Sequence, residues 1–181
     1  MLKGGENMRS EWVPKGEIVH ILAGLKPENR LACEISLATG LRINDVLSLT
    51  TEKVRKQRFT IREEKTGKTR TIRLPNDLWQ RAISCSGHHY VFEHRLNGKN
   101  HRTRQAVYKD LRRVSRLFGV KEQISPHSLR KVFAVEEYLL HGDLFRVQRL
   151  LNHSSEAVTM LYAMANVLRK KKNFVDKAKK Q

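Results

Sequence analysis

The chain has 181 residues, among which 36 lysines and arginines outnumber 18 aspartates and glutamates and give a formal net charge of +18. This length fits one domain with a substantial core, and the charge favours a polyanionic partner, DNA or RNA. No apolar run approaches the length of a membrane span, and the first ten residues lack the apolar core of a signal peptide, so neither a membrane partner nor secretion is expected.

The N-terminal part of the sequence predicts three helices joined by short turns. Apolar residues recur at helical spacing within 18–25, a second helix opens at Pro27 and ends at Gly40, and a third has Asn44 as its predicted N-cap. Arg42 falls in the turn between the second and third helices. An arginine in a tight turn flanked by buried leucines is suited to bind an anion rigidly. From spacing alone, a solvated surface charge is an equally good interpretation.

Two stretches of alternating apolar and polar residues, 58–63 and 68–74, predict the strands of a hairpin. Lys65 lies near the tip of this hairpin, where a lysine is usually just solvated. The functional alternative is proton donation to a departing sugar oxygen, because that step needs a mobile ammonium group on a flexible element. Lys68 is the second candidate for this role.

The next part of the chain combines a short helix with a strongly basic segment. Asn76 is the predicted N-cap of the helix, and residues 90–92 resemble one further short strand. Residues 94–104 predict a basic loop without apolar periodicity, and the helix after it has an apolar and a basic side. Such a face is often only solvated, but beside so cationic a loop it favours contact with phosphates. The residues predicted to bind DNA are Lys99, Arg102, Arg104, Arg112, Arg113 and Arg116.

The two cysteines, Cys33 and Cys85, indicate no disulfide framework and a reducing compartment. Cys85 stands near His88 and His89, but no second ligand pair with zinc spacing follows. These three are therefore interpreted as loop residues, and no metal or other cofactor is expected.

The most informative pattern of the chain begins at Ser125 and ends at Tyr162. Ser125 and Pro126 predict the N-cap and first residue of a helix, which places His127 and Arg130 three residues apart on one helical face.

Two further helices complete this pattern. Gly142 is predicted to end the first helix, and Asn152 to end a short second one in the left-handed conformation that a chain reversal needs. His153 lies at that reversal, and Tyr162 lies at the edge of the apolar stripe of a third helix. Two imidazoles, a guanidinium and a phenol on three short elements suit attack on a phosphodiester. The phenol would be the nucleophile, the guanidinium would hold the non-bridging oxygens, and the imidazoles would bind phosphate or move protons.

These motifs together resemble the tyrosine recombinases, also called phage integrases. The resemblance rests on HSLR, then LLNHSS, then a tyrosine nine residues after that histidine, and on TGLR followed by an acidic residue and LxxL. In this family Asp45 would be the carboxylate that supports the site, and Lys65 matches the catalytic lysine that the family carries on a hairpin. The catalytic residues that the resemblance implies are Arg42, Lys65, His127, Arg130, His153 and Tyr162.

The resemblance also implies a fold, a reaction and partners. The fold would be mainly α with a small antiparallel β-sheet (α+β), and the reaction a metal-independent DNA strand exchange through a 3′-phosphotyrosyl intermediate, without a cofactor. Double-stranded DNA and self-association as dimer to tetramer on DNA are expected, in the cytoplasm of a bacterium or in a phage context. The expected organisation is an N-terminal extension at residues 1–11, a catalytic domain at 12–168 and a basic tail at 169–181.

Two departures from the family pattern leave alternatives open. Asn152 stands where the family usually has glycine, and the segment before Trp12 is too short for the helical DNA-clamping domain that family members carry there. Site-specific binding by this chain alone is therefore expected to be weak. The alternatives are a recombinase-like DNA-binding regulator without catalysis and a type IB topoisomerase-like enzyme.

Overall fold

The computed structural model describes residues 13–152 of the chain, which divides into two units, residues 1–133 and residues 134–181. The elements of the first unit are, in chain order, α1 (Lys15–Ala23), α2 (Pro27–Thr39), α3 (Ile43–Leu47), α4 (Thr51–Val54), β1 (Arg58–Arg62), β2 (Thr69–Arg73), α5 (Asn76–Cys85), β3 (Glu93–His94), β4 (Asn97–His101), α6 (Arg104–Leu117) and the first part of α7 (Pro126–His141). The second unit contains the end of α7 and α8 (Leu144–Leu150). Helices thus predominate over two small antiparallel sheets in the described part of the chain, which confirms the predicted fold class.

The core of the first unit is formed by apolar side chains from its helices and from the β1–β2 hairpin. Burial of this apolar surface is the main force that holds these short elements together. None of the described helices is long and apolar enough to cross a membrane. Representative fully buried core residues are Ile18, Ile35, Leu47, Val54, Leu111 and Leu129.

The turn after α2 is the part of the fold that matters most for the site. Pro27 opens α2 at its first position, and Gly40 ends it with φ +67, a left-handed conformation that favours glycine. A side chain on Gly40 would also collide with the ring of Phe133. The Ser36 hydroxyl donates to the carbonyl of Leu41 at 2.7 Å, so the chain leaves α2 along a fixed path.

The predicted hairpin is present as β1 and β2. The strands pair antiparallel with Phe59 opposite Ile72 and Ile61 opposite Arg70. Phe59, Ile61 and Ile72 are buried, as their alternation predicts. Gly67 closes the turn with φ +65, and its N–H donates to the carbonyl of Glu63 at 2.8 Å.

The basic segment after α5 differs from the sequence prediction. Residues 94–104 were expected to be a loop, but β3 and β4 form a short antiparallel ribbon with Glu93 opposite His101. The ribbon is mostly exposed, so it needs no apolar alternation and its sequence carries no strand signal. The strand expected at residues 90–92 is reduced to a single bridge between Tyr90 and Thr50.

The helix boundaries confirm some predicted caps and correct others. Asn44 and Asn76 lie inside α3 and α5, and the residues before these helices, Arg42 and Pro75, form no side-chain cap hydrogen bond. Proline has no side-chain acceptor that could cap a helix, but its fixed φ suits the entry to one. The prediction for α7 is correct, since the Ser125 hydroxyl accepts from the N–H of His127 at 3.2 Å.

The second unit contains two predicted chain reversals. Gly142 has φ +66 and ends α7, while Asn152 has φ +61 after α8, the left-handed conformation expected for each. Asp143 caps α8, because its Oδ1 accepts from the N–H of Arg146 at 2.9 Å.

Candidate active site

Arg42 lies directly after the turn that ends α2. Its side chain is 15% exposed, and its Nη1 donates to Oε2 of Glu63 at 2.7 Å. The surface-charge interpretation of Arg42 is therefore wrong, because the guanidinium is nearly buried and held by a buried carboxylate.

Arg130 reaches the same turn from the first part of α7. It is 1% exposed, and its Nη1 donates to the carbonyl oxygen of Gly40, a residue 90 positions earlier in the chain. Arginine has five N–H donors, so a guanidinium that uses one of them on a backbone carbonyl can still bind a phosphate in a fork. The structure thus brings together the two arginines that the sequence indicated as phosphate ligands.

Asp45 lies beside these arginines, as expected for a supporting carboxylate. It is buried, and its Oδ1 accepts from the N–H of Glu64 at 2.9 Å. Burial raises the pKa of the Asp45 carboxyl above its ordinary value and the charge of Glu63 raises it further, whereas the hydrogen bond from Glu64 and the charges of Arg42 and Arg130 lower it in part.

Glu63 and Arg70 belong to the same cluster and were missed in the sequence. Glu63 is fully buried at the end of β1, and Arg70 Nη1 lies 3.8 Å from its Oε1. Arg70 Nη2 donates to the carbonyl of Thr39. A usable signal was present, because strand alternation puts Glu63 on the same face as the buried Phe59 and Ile61. A carboxylate on an apolar strand face has to be paired.

Lys65 occupies the turn between β1 and β2, as the sequence predicted, and it is exposed. The turn is tied down next to it: the Thr66 hydroxyl donates to Glu63 Oε2 at 3.3 Å, and Arg62 Nε donates to the Gly67 carbonyl at 2.9 Å. Lys68, the second candidate, is exposed as well. An exposed ammonium on an anchored turn agrees with the mobility that a proton donor needs, but the role of Lys65 stays a prediction.

Of the three remaining predicted catalytic residues, the described part of the chain includes only His127. His127 is exposed at the second position of α7, on the helix that carries the buried Arg130. His153 and Tyr162 lie outside the described residues, so their geometry and roles stay predictions.

The predicted DNA-binding residues on α6 fall into two groups. Arg113 is engaged within the protein, since its Nη2 donates to Asp110 Oδ1 at 2.8 Å and to the carbonyl of Gly24 at 3.0 Å. Arg112 and Arg116 take part in no ion pair among residues 13–152. Both line a surface groove together with Tyr108, Lys109 and Arg113.

Arg113 belongs to an anchor that is built around Asp110. The Oδ2 of Asp110 accepts from the N–H of Lys26 at 2.9 Å and from Asn29 Nδ2 at 2.7 Å, which fastens α6 to the start of α2. Burial raises the pKa of the Asp110 carboxyl, but the hydrogen bonds from Asn29, Lys26 and Arg113 outweigh this and hold the pKa below its ordinary value.

The predicted DNA-binding residues around β4 divide in the same way. Arg102 Nη2 lies 3.4 Å from Glu28 Oε2, so this arginine is paired within the protein. Lys99 and Arg104 are exposed. Among the described residues, no group of three or more His, Cys, Asp or Glu side chains is arranged to hold a metal ion.

Comparisons with known proteins identify the family and the fold. The phage integrase family matches residues 11–169. The probable integrase/recombinase YoeC of Bacillus subtilis is 33% identical over 134 residues, which cover 68% of this chain and 70% of YoeC. The tyrosine recombinase XerD of Pseudomonas putida is 30% identical over 149 residues, which cover 74% of this chain and 48% of XerD. The chain thus spans about half the length of XerD.

Solved structures of integrases have a similar fold. The catalytic domain of bacteriophage HP1 integrase has a TM-score of 0.64 at 23% identity, with 86% of this chain and 88% of that chain covered. A lambda integrase dimer bound to a COC′ core site has a TM-score of 0.72 at 17% identity, with 86% and 49% covered. Together with the motifs around Arg42 and Arg130, the match over residues 11–169 shows that this chain belongs to the phage integrase family.

Proposed function

We propose that this chain cleaves and rejoins DNA strands at a specific site through a covalent 3′-phosphotyrosyl intermediate, with Tyr162 as the nucleophile. The observation that supports this most directly is the pair of guanidiniums at the turn that ends α2, the buried Arg130 and the largely buried Arg42. Two positively charged forks at one point are what a phosphodiester needs when negative charge builds up on its non-bridging oxygens.

The reaction divides among the predicted residues as follows. The Tyr162 phenol gives its proton to His127 or His153 as it attacks the scissile phosphorus, the bond to the 5′ oxygen breaks, and Lys65 gives the departing oxygen a proton. His127 and His153 bind the phosphate or move protons, and the arginines stabilise the pentacoordinate transition state. In the reverse step a 5′-hydroxyl attacks the phosphotyrosine, which rejoins a strand and releases the phenol.

Burial makes the arginines effective in this role. A charge in a desolvated site acts on a phosphate more strongly than the same charge in water, and a fixed guanidinium needs no reorganisation during the reaction. The arginine pair can thereby offset the charge on the phosphorane without Mg²⁺.

The expected partner is duplex DNA, on which we propose that the chain assembles as dimer to tetramer. The charge of +18 supports a polyanionic partner. Among solved structures of the same fold, XerH is bound to its difH substrate, and a lambda integrase tetramer is bound to a Holliday junction. We propose that Lys99, Arg104, Arg112 and Arg116 contact phosphates and that the chain acts in the cytoplasm of a bacterium, as part of a phage or other mobile element.

A trapping experiment tests the proposed chemistry. A pool of nicked duplexes with randomised sequence is incubated with the protein, and covalent complexes are recovered under denaturing conditions and sequenced. The nick lets the cleaved end diffuse away, so the phosphotyrosine accumulates. We expect adducts on one class of sequence with the wild type and none with Tyr162→Phe, which removes only the nucleophilic oxygen. Equal recovery of adducts from both proteins would refute Tyr162 as the nucleophile. Absence of any adduct with the wild type would refute the proposed reaction and favour a non-catalytic DNA-binding regulator.

A further inference from the structure

We propose that Glu63 is a positioning residue for both halves of the cleavage step. In this role its buried carboxylate orients the guanidinium of Arg42 and, through Thr66, fixes the turn that carries Lys65. This inference rests on the proposed function. It adds a residue of the hairpin that neither the family motifs nor the comparisons assign to the site.

The first observation is the environment of the carboxylate. Glu63 is 0% exposed, and its Oε2 accepts from Arg42 Nη1 at 2.7 Å. A carboxylate without water is costly unless it is paired and hydrogen-bonded, so this contact fixes both partners. Arg42 has a long side chain with several rotatable bonds, and a buried acceptor at its tip restricts that freedom.

The second observation is a longer ionic contact on the other oxygen, beyond hydrogen-bond distance. Arg70 Nη1 lies 3.8 Å from Glu63 Oε1, and Arg70 Nη2 donates to the carbonyl of Thr39. The carboxylate is therefore held between two guanidiniums, and Arg70 anchors it to the same turn at which Arg130 binds Gly40. Arg70 is 12% exposed and serves as a fixed support for the glutamate.

The third observation connects Glu63 to the proposed proton donor. The Thr66 hydroxyl donates to the same Oε2 that Arg42 contacts, at 3.3 Å. The backbone of Glu63 also brackets the turn, since its N–H donates to the Lys68 carbonyl at 2.9 Å and its carbonyl accepts from the Gly67 N–H at 2.8 Å. One buried residue thus sets the position of a phosphate ligand and of the turn with the lysine.

The chemistry distinguishes this role from a merely structural one. If Glu63 acts through Arg42, its loss weakens the stabilisation of the non-bridging oxygens. In a methylphosphonate a neutral methyl group replaces one of these oxygens, so the loss of Glu63 should slow adduct formation less on this substrate than on the phosphodiester. If Thr66 acts through Lys65, its loss weakens protonation of the leaving group. That defect has to shrink when sulfur replaces the bridging 5′ oxygen, because a thiol has a pKa of about 8.5 and leaves without a proton.

The experiment measures single-turnover adduct formation on three versions of a nicked duplex selected with the wild type: phosphodiester, methylphosphonate and 5′-thio. On the phosphodiester we expect Glu63→Gln to be slower by up to about 10²-fold, a size that fits misplacement of a reacting group. The adjacent, exposed Glu64→Gln is the matched control for the loss of one charge, and we expect it to react like the wild type. On the methylphosphonate the Glu63→Gln defect should shrink at least about tenfold, in parallel with Arg42→Ala.

The second variant, Thr66→Val, should show the complementary pattern. Thr66→Val should form the adduct more slowly than the wild type on the phosphodiester. This difference in rate should become smaller on the 5′-thio duplex, as for Lys65→Ala, and should remain on the methylphosphonate. If Glu63→Gln does not fold, Arg70→Lys takes its place, since it keeps the charge but not the planar fork, and the same methylphosphonate pattern is expected.

Two results separate failure of this inference from failure of the proposed function. Equal defects of Glu63→Gln on all three duplexes, with a lowered melting temperature, would mean that the residue only supports the fold. Absence of any adduct with the wild type, on every duplex of the random pool, would overturn the proposed function, and this inference would fall with it.

Discussion

The two arginine groups on α6 lead to opposite predictions. Arg112 and Arg116 have no ion pair within the described residues and line a surface groove, whereas Arg113 is held by Asp110 and the Gly24 carbonyl. If the groove lies on the DNA backbone, the double variant Arg112→Ala/Arg116→Ala should weaken binding to all duplexes and leave the fold unchanged. Arg113→Ala should instead lower stability.

The size of the binding effect follows from counterion release. Each phosphate contact contributes about −0.9 to the slope of log K against log salt on duplex DNA, so two contacts contribute about −1.8. Over a fourfold rise in salt concentration, these two contacts change the binding constant by about twelvefold. The affinity lost in the double variant should thus be about twelve times larger at 50 mM than at 200 mM salt. Its free energy of unfolding should stay within about 0.5 kcal/mol of the wild type.

Arg113→Ala provides the matched contrast on the same helix. Asp110 would lose the donors that Arg113 supplies at 2.8 and 3.0 Å but would keep Asn29 and the N–H of Lys26. We expect a loss of about 1 kcal/mol in the free energy of unfolding, because Arg113 is about half exposed and water replaces part of the interaction. Fluorescence anisotropy on two unrelated duplexes and urea unfolding measure the two effects. Equal slopes of log K against log salt for the wild type and the double variant would show that this groove does not contact DNA.

The remaining predictions concern the site and the α6 anchor. Arg42→Ala and Arg130→Ala should each slow adduct formation by about 10²-fold or more, and single-turnover rates near the wild type would refute this assignment of phosphate ligands. Gly40→Ala should destabilise the protein by clearly more than Gly119→Ala, because both have positive φ but only the first meets a ring, and comparable melting temperatures would contradict this. Asp110 has a lowered pKa in the folded state, so its contribution to stability is present above its ordinary value of about 3.8 and is lost as the pH falls through the lowered pKa. Urea unfolding between pH 3 and pH 6 should therefore show a weaker acid dependence in Asp110→Asn than in the wild type.

Local backbone chemistry was the part of the fold most accessible from sequence. The hairpin was predicted from alternation, and the ends of α2, α7 and α8 from Gly40, Gly142 and Asn152, all three of which have positive φ. These features depend on a few neighbouring residues, because φ preferences and strand alternation are decided within one or two turns of chain. The β3–β4 ribbon was missed for the same reason: it buries too little to impose a pattern on its residues.

Contacts between residues that are distant in the chain were harder to predict from the sequence. Asp110 binds Asn29 across 81 positions of sequence, and no local pattern shows that Arg113 is used in the same anchor rather than exposed for DNA. The basic face of α6 therefore looked uniform in the sequence, and only the packed structure separates its members. The pairing of Arg102 with Glu28 was likewise not visible in the sequence.

The charge arrangement of the site gives its acidic residues a physical purpose. Arg42, Arg70 and Arg130 face two buried carboxylates, Asp45 and Glu63, so the cluster keeps a surplus of one positive charge. One buried and two largely buried guanidiniums without counter-charges would repel one another and lose hydration that nothing replaces. Two carboxylates reduce this cost and hold the arginines in position, while the surplus remains to attract a phosphate. The sequence motifs point to the arginines, for which we propose phosphate binding. The glutamate at the end of β1 keeps one of them in place before the substrate arrives, and only its position on a buried strand face reveals it.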